Sequence, residues 1–195
     1  MGSEEVSPRT FVPVAPGERP RRSRSTARVL LIDDRDRILL FADSDPGAPG
    51  VGWWITPGGG IDDGESEVVA AVREVEEETG LRITEADLLG PTMRRTVVHG
   101  YSDVVIDQQD VFYACWVPEF EVSTAGHTEE ELLTMAGHRW WTRTELATTD
   151  ETIWPAALLD LWKDADVRRA AAASGAADPV EAADGGRVEE STVPA

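Results

Sequence analysis

Apolar and polar positions along the chain form blocks that predict several short strands. Apolar runs at residues 28–32 and 37–41 flank a polar segment at 33–36, which is the pattern of a β hairpin. Another apolar run, at 51–56, ends abruptly at a proline and three glycines, residues 57–60. Further strands separated by polar turns are expected at 96–106, 111–117 and 138–141.

One segment shows the periodicity of an amphipathic helix. Asp62, Asp63 and Ser66 are candidate N-caps, and Gly80 stands where a glycine commonly ends a helix. A helix is therefore predicted over about residues 65–79. Its valines gather on one side, which is expected to face the core.

The remaining pattern predicts the fold class and the limits of the folded region. An amphipathic helix is expected at 153–165 and a single helical turn at 129–135. Strands that flank helices without a regular β–α–β alternation predict an α/β fold, in which helices pack on the faces of a mixed β-sheet. Residues 1–25 are predicted to form a disordered or extended arm and 169–195 a disordered tail, so the folded domain is expected to cover 26–168.

Charge and composition restrict the partners that this domain is expected to bind. The net charge is −19, which repels nucleic-acid backbones and anionic membranes, although five arginines gather at residues 19–28. The sequence has no apolar run near the roughly 20 residues of a membrane span and no secretory signal. Cys115 is the single cysteine, so an intrachain disulfide is excluded. We therefore expect a cytoplasmic protein that binds neither nucleic acid nor membranes.

The predicted helix also carries a cluster of acidic side chains. Glu74, Glu77 and Glu78 are related as i, i+3 and i+4, so they project from one face within about one turn. Like charges at this spacing destabilise a helix by about 0.2–0.5 kcal/mol per pair. Clustered carboxylates suit hard cations such as Mg²⁺ or Mn²⁺, although a solvated acidic surface is the commoner reason for such a run.

The spacing around this cluster is more specific than the cluster itself. Gly59 is followed after five residues by Glu65, and after seven more by Arg-Glu-Val-Glu-Glu-Glu-Thr-Gly-Leu at 73–81. This arrangement resembles the complete signature of the Nudix hydrolase family of MutT-like proteins, Gly-x5-Glu-x7-Arg-Glu-U-x-Glu-Glu-x-Gly-U, where U is a bulky aliphatic residue. Every fixed position from Gly59 to Leu81 is met, and the likeness extends over about residues 28–165.

The resemblance implies a fold, an activity and a metal site. Nudix proteins form an α/β/α sandwich with a mixed sheet, and they hydrolyse a phosphoanhydride bond of a nucleoside diphosphate linked to another moiety. By position, Glu74, Glu77 and Glu78 are similar to the family's ligands for Mg²⁺, with Mn²⁺ as an alternative. Gly59 would offer its carbonyl oxygen to a metal. The expected substrate is a small nucleotide-like molecule.

The same resemblance implies roles for the other signature residues. Arg73 looks like the arginine that pairs with carboxylates and orients them, and Glu65 like the residue that braces the loop against the helix. Gly80 has a structural role at the helix end. Arg73, Glu74 and Glu77 are thus the expected catalytic residues, with Glu77 favoured as the general base.

Assignments outside the signature stay open. In the family the base can instead be a glutamate of a late loop, where this chain has Glu129, Glu130 and Glu131, although such a run is commonly a solvated acidic turn. Arg94 is a candidate for holding a substrate phosphate, with a surface ion pair as the alternative. Tyr101 is a candidate for lining the substrate pocket.

The identity of the nucleotide and the existence of catalysis are separate questions. A Nudix-fold domain that senses a ligand or binds a partner without catalysis is the alternative to a hydrolase. The family likeness also suggests a homodimer. Cys115 lies in an apolar strand and is expected to be inert, which argues against the isopentenyl-diphosphate isomerases of the same fold.

Overall fold

Strands form one mixed sheet in the computed structural model of the protein, which describes residues 9–175 and 181–194. The nine strands of the described residues are β1 Arg21–Asp33, β2 Arg37–Ser44, β3 Gly52–Ile55, β4 Gly58–Gly60, β5 Leu89–Gly100, β6 Val105–Val117, β7 Gly137–Thr142, β8 Ile153–Trp154 and β9 Ala183–Glu189. Their order is β8-β3-β2-β1-β6-β5-β9, with β4 beside β1 and β7 beside β2. The pairs β1–β6, β3–β8 and β5–β9 are parallel, and the others are antiparallel.

Four helices accompany the sheet within the described residues: α1 Glu67–Thr79, α2 Glu129–Thr134, α3 Arg143–Thr148 and α4 Leu158–Ala173. The Ser66 hydroxyl caps α1 by accepting a hydrogen bond from the Val69 N–H at 3.3 Å. Gly80 ends α1 in the left-handed conformation at φ 72°, which glycine adopts without steric cost. These bounds lie within two residues of the prediction. In the part of the chain that the structure describes, each helix is too short or too polar to cross a membrane.

The two faces of the sheet are covered by different helices. Along β1, Val29 and Leu31 are buried on one face, while Leu30 and Ile32 are buried on the other. The first pair belongs to a core with Ala70, Ala71 and Val75 of α1, and the second to a core with Leu158, Leu161 and Trp162 of α4. Burying a large apolar side chain stabilises the fold by about 1.5–3 kcal/mol. The predicted α/β/α sandwich with a mixed sheet is confirmed.

Two predicted elements have different bounds because tertiary pairing overrides the local pattern. The strand expected at 96–106 is divided: β5 ends at Gly100, a short loop follows, and β6 begins at Val105. The helix expected at 153–165 starts only at Leu158, because Ile153 and Trp154 pair with β3 as a short parallel strand.

In the described parts of both ends, the strands of the sheet extend beyond the predicted limits of 26–168. Strand β1 starts at Arg21, inside the predicted arm, and β9 lies inside the predicted tail. Residues 9–20 form no strand and no helix apart from one 3-10 turn. They pack on the loop after β5 through a hydrogen bond from the Val14 N–H to the Ser102 carbonyl at 2.8 Å. Residues 1–8, 176–180 and 195 lie outside the described part of the chain.

A buried ion network ties β9 to the sheet. Arg95 on β5 donates from Nε to Asp110 Oδ2 on β6 at 2.7 Å, and from Nη1 and Nη2 to both oxygens of Glu190 at 2.7 and 2.8 Å. All three side chains are less than a tenth exposed. These contacts hold the C-terminal segment against the sheet, which its polar composition does not predict.

Histidine 99 makes the stability of the fold sensitive to acid. His99 is buried, and its Nδ1–H donates to the Glu190 carbonyl at 2.6 Å. Burial lowers the pKa of His99 to about 4. Because a histidine in an unfolded chain has a pKa of about 6.5, the unfolded state takes up the proton first as the pH falls. The contribution of neutral His99 to the free energy of unfolding is therefore complete above the pKa of the unfolded state, and it is lost as the pH falls toward the pKa of the folded state.

We expect this group alone to reduce the free energy of unfolding by about 2 kcal/mol between pH 7.5 and pH 5.0. Urea unfolding of the wild-type protein and of His99→Gln at both pH values measures the effect. Carboxylates titrate in both proteins, so the difference between their pH responses isolates the histidine. Equal responses would contradict the prediction.

Candidate active site

The glycine-rich strand β4 lies directly against β1, with Gly58 opposite Arg28 and Gly59 opposite Ala27. A Cβ on Gly58 would stand 2.2 Å from the Ala27 carbonyl oxygen, and its φ of 131° is also unfavourable for other residues. The Gly58 N–H donates to Glu78 Oε2 of α1 at 2.8 Å. The glycine therefore lets the loop, the sheet and the helix meet at one point.

Three carboxylates converge beside this loop. Glu74 and Glu78 are buried on α1, and Glu131 comes from α2, with one oxygen of each within 4.8 Å of the others. Glu131 is held in place by a capping box, because Thr128 donates to its Oε2 from the backbone N–H at 2.6 Å and from the hydroxyl at 2.8 Å. The structure thus brings a residue of the late acidic loop to the signature helix.

The protein compensates the charge of this cluster incompletely. Burial raises the pKa of Glu78 well above its usual range, against the hydrogen bond from Gly58. Burial also raises the pKa of Glu74, and the neighbouring Arg73 only partly offsets the effect. A buried carboxylate is stable when a cation or several donors satisfy it. The three residues offer only carboxylate oxygens, with no sulfur or nitrogen donor among them. Hard divalent cations prefer oxygen ligands, so the cluster fits such an ion.

Arg73, on α1, donates hydrogen bonds to several residues of the signature and of its loop. It donates to both oxygens of Glu65 at 2.9 Å, to the Gly60 carbonyl at 2.7 Å, to Glu74 at 2.8 Å and to Glu77 at 2.9 Å. The Arg73 hydrogen bonds lower the pKa of Glu65. Arg73 therefore connects the loop to the helix and orients Glu74.

Glu77 does not join the three converging oxygens. Its side chain is 47% exposed, and its carboxylate is held by Arg73. The reason is geometric, because residues four apart differ by only about 40° around a helix axis, whereas neighbours differ by about 100°. Once Glu74 and Glu78 face inward, Glu77 turns outward. Val72 is likewise half-buried at the outer surface of α1 and lies outside the core.

A cavity of about 300 Å³ opens over the cluster. Glu74, Glu78 and Glu131 line part of it, and three arginines, Arg9, Arg24 and Arg28, also line it. Trp53, Ile55, Tyr101 and Ile106 add apolar and aromatic surface. The cavity can therefore accept a molecule with anionic and flat apolar parts next to cations held by the carboxylates.

The sequence model of a protein family, described as the NUDIX domain, matches residues 22–162 of the chain. The chain belongs to the Nudix family. An RNA pyrophosphohydrolase of Erythrobacter litoralis (strain HTCC2594) is 41% identical over 68 residues, which are 35% of this chain and 40% of that protein. The Nudix hydrolase YvcI of Bacillus subtilis (strain 168) is 40% identical over 67 residues, 34% of this chain and 38% of that protein. The matched segments thus span about two fifths of these relatives.

Solved structures support the same fold. The NUDIX domain of Shewanella oneidensis NrtR, complexed with ADP ribose, superposes with a TM-score of 0.53 at 17% identity, covering 73% of this chain and 88% of that chain. At this identity the likeness shows the Nudix fold alone. Arg9 lies before the residues that the family model matches, and β9 lies after them.

Two residues considered from the sequence lie away from the Nudix site. Arg94 does not line the cavity, and it forms a half-exposed ion pair with both oxygens of Glu67 at 2.6 and 2.7 Å. The structure therefore gives no support to a phosphate-binding role for Arg94. Cys115 is buried, and burial raises the pKa of its thiol to about 12, as expected of an inert core residue.

The three arginines that line the cavity were not predicted as site residues from the sequence. Arg24 and Arg28 belong to the arginine-rich stretch at 19–28, which was the available signal. Arg9 offered no local signal, because its position depends on packing against Tyr101 and a 2.7 Å contact with Asp103.

Proposed function

We propose that this protein is a metal-dependent hydrolase that cleaves a phosphoanhydride bond of a nucleoside diphosphate linked to another moiety. Mg²⁺ is the proposed cofactor, with Mn²⁺ as an alternative. The observation that carries the proposal is the convergence of Glu74, Glu78 and Glu131 within 4.8 Å in a cavity that three arginines also line. Membership of the Nudix family supports the same chemistry.

The proposed metal ligands are Glu74, Glu78 and Glu131, with the Gly59 carbonyl as a further donor. Glu77 is also proposed as a metal ligand because of its position in the signature. Its carboxylate at the same time accepts a hydrogen bond from Arg73. When bound, a divalent cation neutralises phosphate charge and lowers the pKa of a coordinated water. Arg73 keeps Glu74 turned toward the site through the 2.8 Å hydrogen bond.

The chain's own residues would bind the substrate and accept the proton. Arg24 and Arg28 present guanidinium groups that suit phosphate oxygens. As the water oxygen bonds to phosphorus and the bridging P–O bond breaks, a carboxylate must take the proton from the water. Glu130 and Glu131 both line the cavity, whereas Glu77 does not. We favour Glu131 over Glu77 and Glu130 as this base, because Glu131 alone of the three also belongs to the carboxylate cluster.

The proposed substrate is a small nucleotide. One relative is named an RNA pyrophosphohydrolase, and one structural neighbour holds ADP ribose. The net charge of −19 opposes binding of a long RNA backbone but permits a small phosphorylated ligand beside divalent cations. A cytoplasmic location and a homodimer remain predictions from the sequence.

A substrate panel tests the proposal. ADP-ribose, diadenosine tetraphosphate, 8-oxo-dGTP and a 5′-triphosphorylated RNA oligomer would be incubated with Mg²⁺, with Mn²⁺ and with a chelator, and the products separated by ion-exchange chromatography. We expect metal-dependent hydrolysis of at least one small nucleotide. Turnover of the RNA alone would overturn the substrate class. Binding of ADP-ribose without any turnover would instead favour the ligand-sensing alternative.

Gly59→Ala is expected to impair catalysis without unfolding the protein. A Cβ there would stand 2.5 Å from Glu74 Oε2, so this carboxylate must move. A displacement of about 1 Å can reduce turnover by about 100-fold. Gly60→Ala is the matched control, because a Cβ at Gly60 meets no atom within 4 Å. Steady-state kinetics and thermal unfolding of both variants check the prediction, and equal kinetics would refute it.

A further inference from the structure

The C-terminal segment extends the sheet beyond the part of the chain that matches the family. Strand β9 runs parallel to β5, with Arg187 opposite Thr96 and Glu189 opposite Val98. The ladder continues past β9, because the Glu190 N–H donates to the Val98 carbonyl at 3.0 Å. The family match ends at residue 162, so this segment lies outside the matched residues.

Residues 190–194, which we call the C-terminal strap, are anchored at Glu190. Its carboxylate receives two hydrogen bonds from Arg95 and one from the Ala156 N–H at 3.0 Å. Its carbonyl accepts from His99. With these contacts Glu190 is only 6% exposed, which fixes the direction in which the strap leaves the sheet.

The strap then holds the loop between β5 and β6, residues 100–104. The Thr192 N–H donates to the Gly100 carbonyl at 2.9 Å. The Thr192 hydroxyl lies 3.0 Å from Asp45 Oδ2, and the same carboxylate accepts from the Ser102 N–H and hydroxyl at 2.7 Å each. One Arg19 nitrogen joins the Pro194 carbonyl at 2.8 Å to the Tyr101 carbonyl at 3.2 Å.

This loop carries part of the cavity wall. Tyr101 lines the cavity, and its ring lies 5.9 Å from that of Trp53. The Arg9 guanidinium lies over the Tyr101 ring at 4.4 Å and bonds to Asp103 of the same loop at 2.7 Å. Moving the loop would therefore move an aromatic surface and a cationic group together, both outside the carboxylate cluster.

We propose that the C-terminal strap is a positioning element for substrate binding: it holds the 100–104 loop so that Tyr101 and Arg9 form the wall that receives the nucleoside part of the substrate. The proposal rests on the proposed hydrolase function. The carboxylates come from α1 and α2, which the strap does not touch in the described contacts. The strap therefore acts on substrate affinity and leaves metal affinity unchanged.

Thr192→Val tests the proposal in the full chain, because valine removes the hydroxyl while keeping the shape. Thr192→Ser restores the hydroxyl, and Thr148→Val removes the hydroxyl of an exposed threonine on α3 as a control. Three quantities would be measured: amide hydrogen exchange of residues 100–104, KM and kcat on the preferred nucleotide of the panel, and the affinity for Mn²⁺ alone.

For Thr192→Val we expect faster exchange in the loop, a KM raised about fivefold, and kcat and Mn²⁺ affinity within about twofold of the wild type, as the loss of one hydrogen bond worth about 1 kcal/mol implies. Thr192→Ser and Thr148→Val should match the wild type. Unchanged loop exchange, or faster exchange with unchanged KM, overturns the proposal. A fall in kcat or Mn²⁺ affinity with unchanged KM overturns it as well.

The outcome is separable from that of the proposed function. If the wild-type protein hydrolyses none of the nucleotides, the hydrolase proposal fails, and the Kd for ADP in the presence of Mn²⁺ replaces KM. Loop exchange that rises together with this Kd in Thr192→Val then supports the strap. Loop exchange equal to that of the wild type overturns the strap whatever the catalytic result.

Discussion

Glu78→Gln is expected to abolish metal-dependent hydrolysis while leaving the fold intact. The amide keeps the size of the side chain and can still accept the Gly58 N–H, but it removes a charged ligand from the cluster. A bound cation contributes several kcal/mol of transition-state stabilisation, so kcat should fall by about 1,000-fold or more. Glu74→Gln should behave in the same way, since Glu74 belongs to the same group.

Stability should respond in the opposite direction, and this contrast identifies the residues as functional. Burial disfavours the charged form of Glu78 and raises its pKa, so a neutral isostere should hold or raise the melting temperature of the metal-free protein. Glu76→Gln is the control, because Glu76 is 47% exposed and pairs with Arg82 at the surface. Kinetics, Mn²⁺ calorimetry and thermal unfolding measure all three variants. Undiminished turnover in both Glu74→Gln and Glu78→Gln would remove the metal-site assignment.

Arg95→Met is expected to destabilise the fold strongly. It leaves Asp110 and Glu190 buried without the arginine that both contact at 2.7 Å. Removing one partner of a buried ion pair costs about 3–5 kcal/mol, a large part of the stability of a small domain. Urea unfolding of the variant at neutral pH measures this loss.

The neighbouring residue on the same strand supplies the matched control. Arg94 is 52% exposed and its partner Glu67 is 38% exposed, so Arg94→Met should cost at most about 1 kcal/mol. Because Arg94 lies outside the cavity, the same variant should also keep its KM. A similar loss of unfolding free energy in both variants would show that the buried ion network of Arg95 contributes no more than an exposed ion pair. A raised KM in Arg94→Met would restore the phosphate-binding hypothesis.

Local signals account for what the sequence predicts well. The hairpin of β1 and β2, the helix between Ser66 and Gly80, and the signature depend on residues close together in the chain, where caps, turns and periodicity act directly. The sequence alone therefore predicts that Glu74 and Glu78 belong to one site. Their burial was not predicted, because the valines of α1 were expected to face the core. Both glutamates lie on the buried side of the helix with Ala71 and Val75, whereas Val72 does not.

Long-range pairing accounts for what the sequence did not reveal. Strand β9 has little apolar character, and it exists through its ladder with β5 and through the ion pair between Glu190 and Arg95. The placement of Glu131 beside α1 depends on the fold of α2, and no spacing within the signature encodes it. The outward direction of Glu77 depends on which helix face the core selects. None of these features has a period or a motif within a short window.

The parallel pairing of β1 with β6 has a consequence for how the molecule folds. Its register joins Arg21 to Val105 and Asp33 to Val117, so the centre of the sheet is built from segments far apart in the chain. The chain must lose the entropy of closing this long intervening segment before the hydrogen bonds between β1 and β6 can form. Refolding should therefore proceed on a timescale of about milliseconds to seconds, far slower than in a helical bundle of the same length.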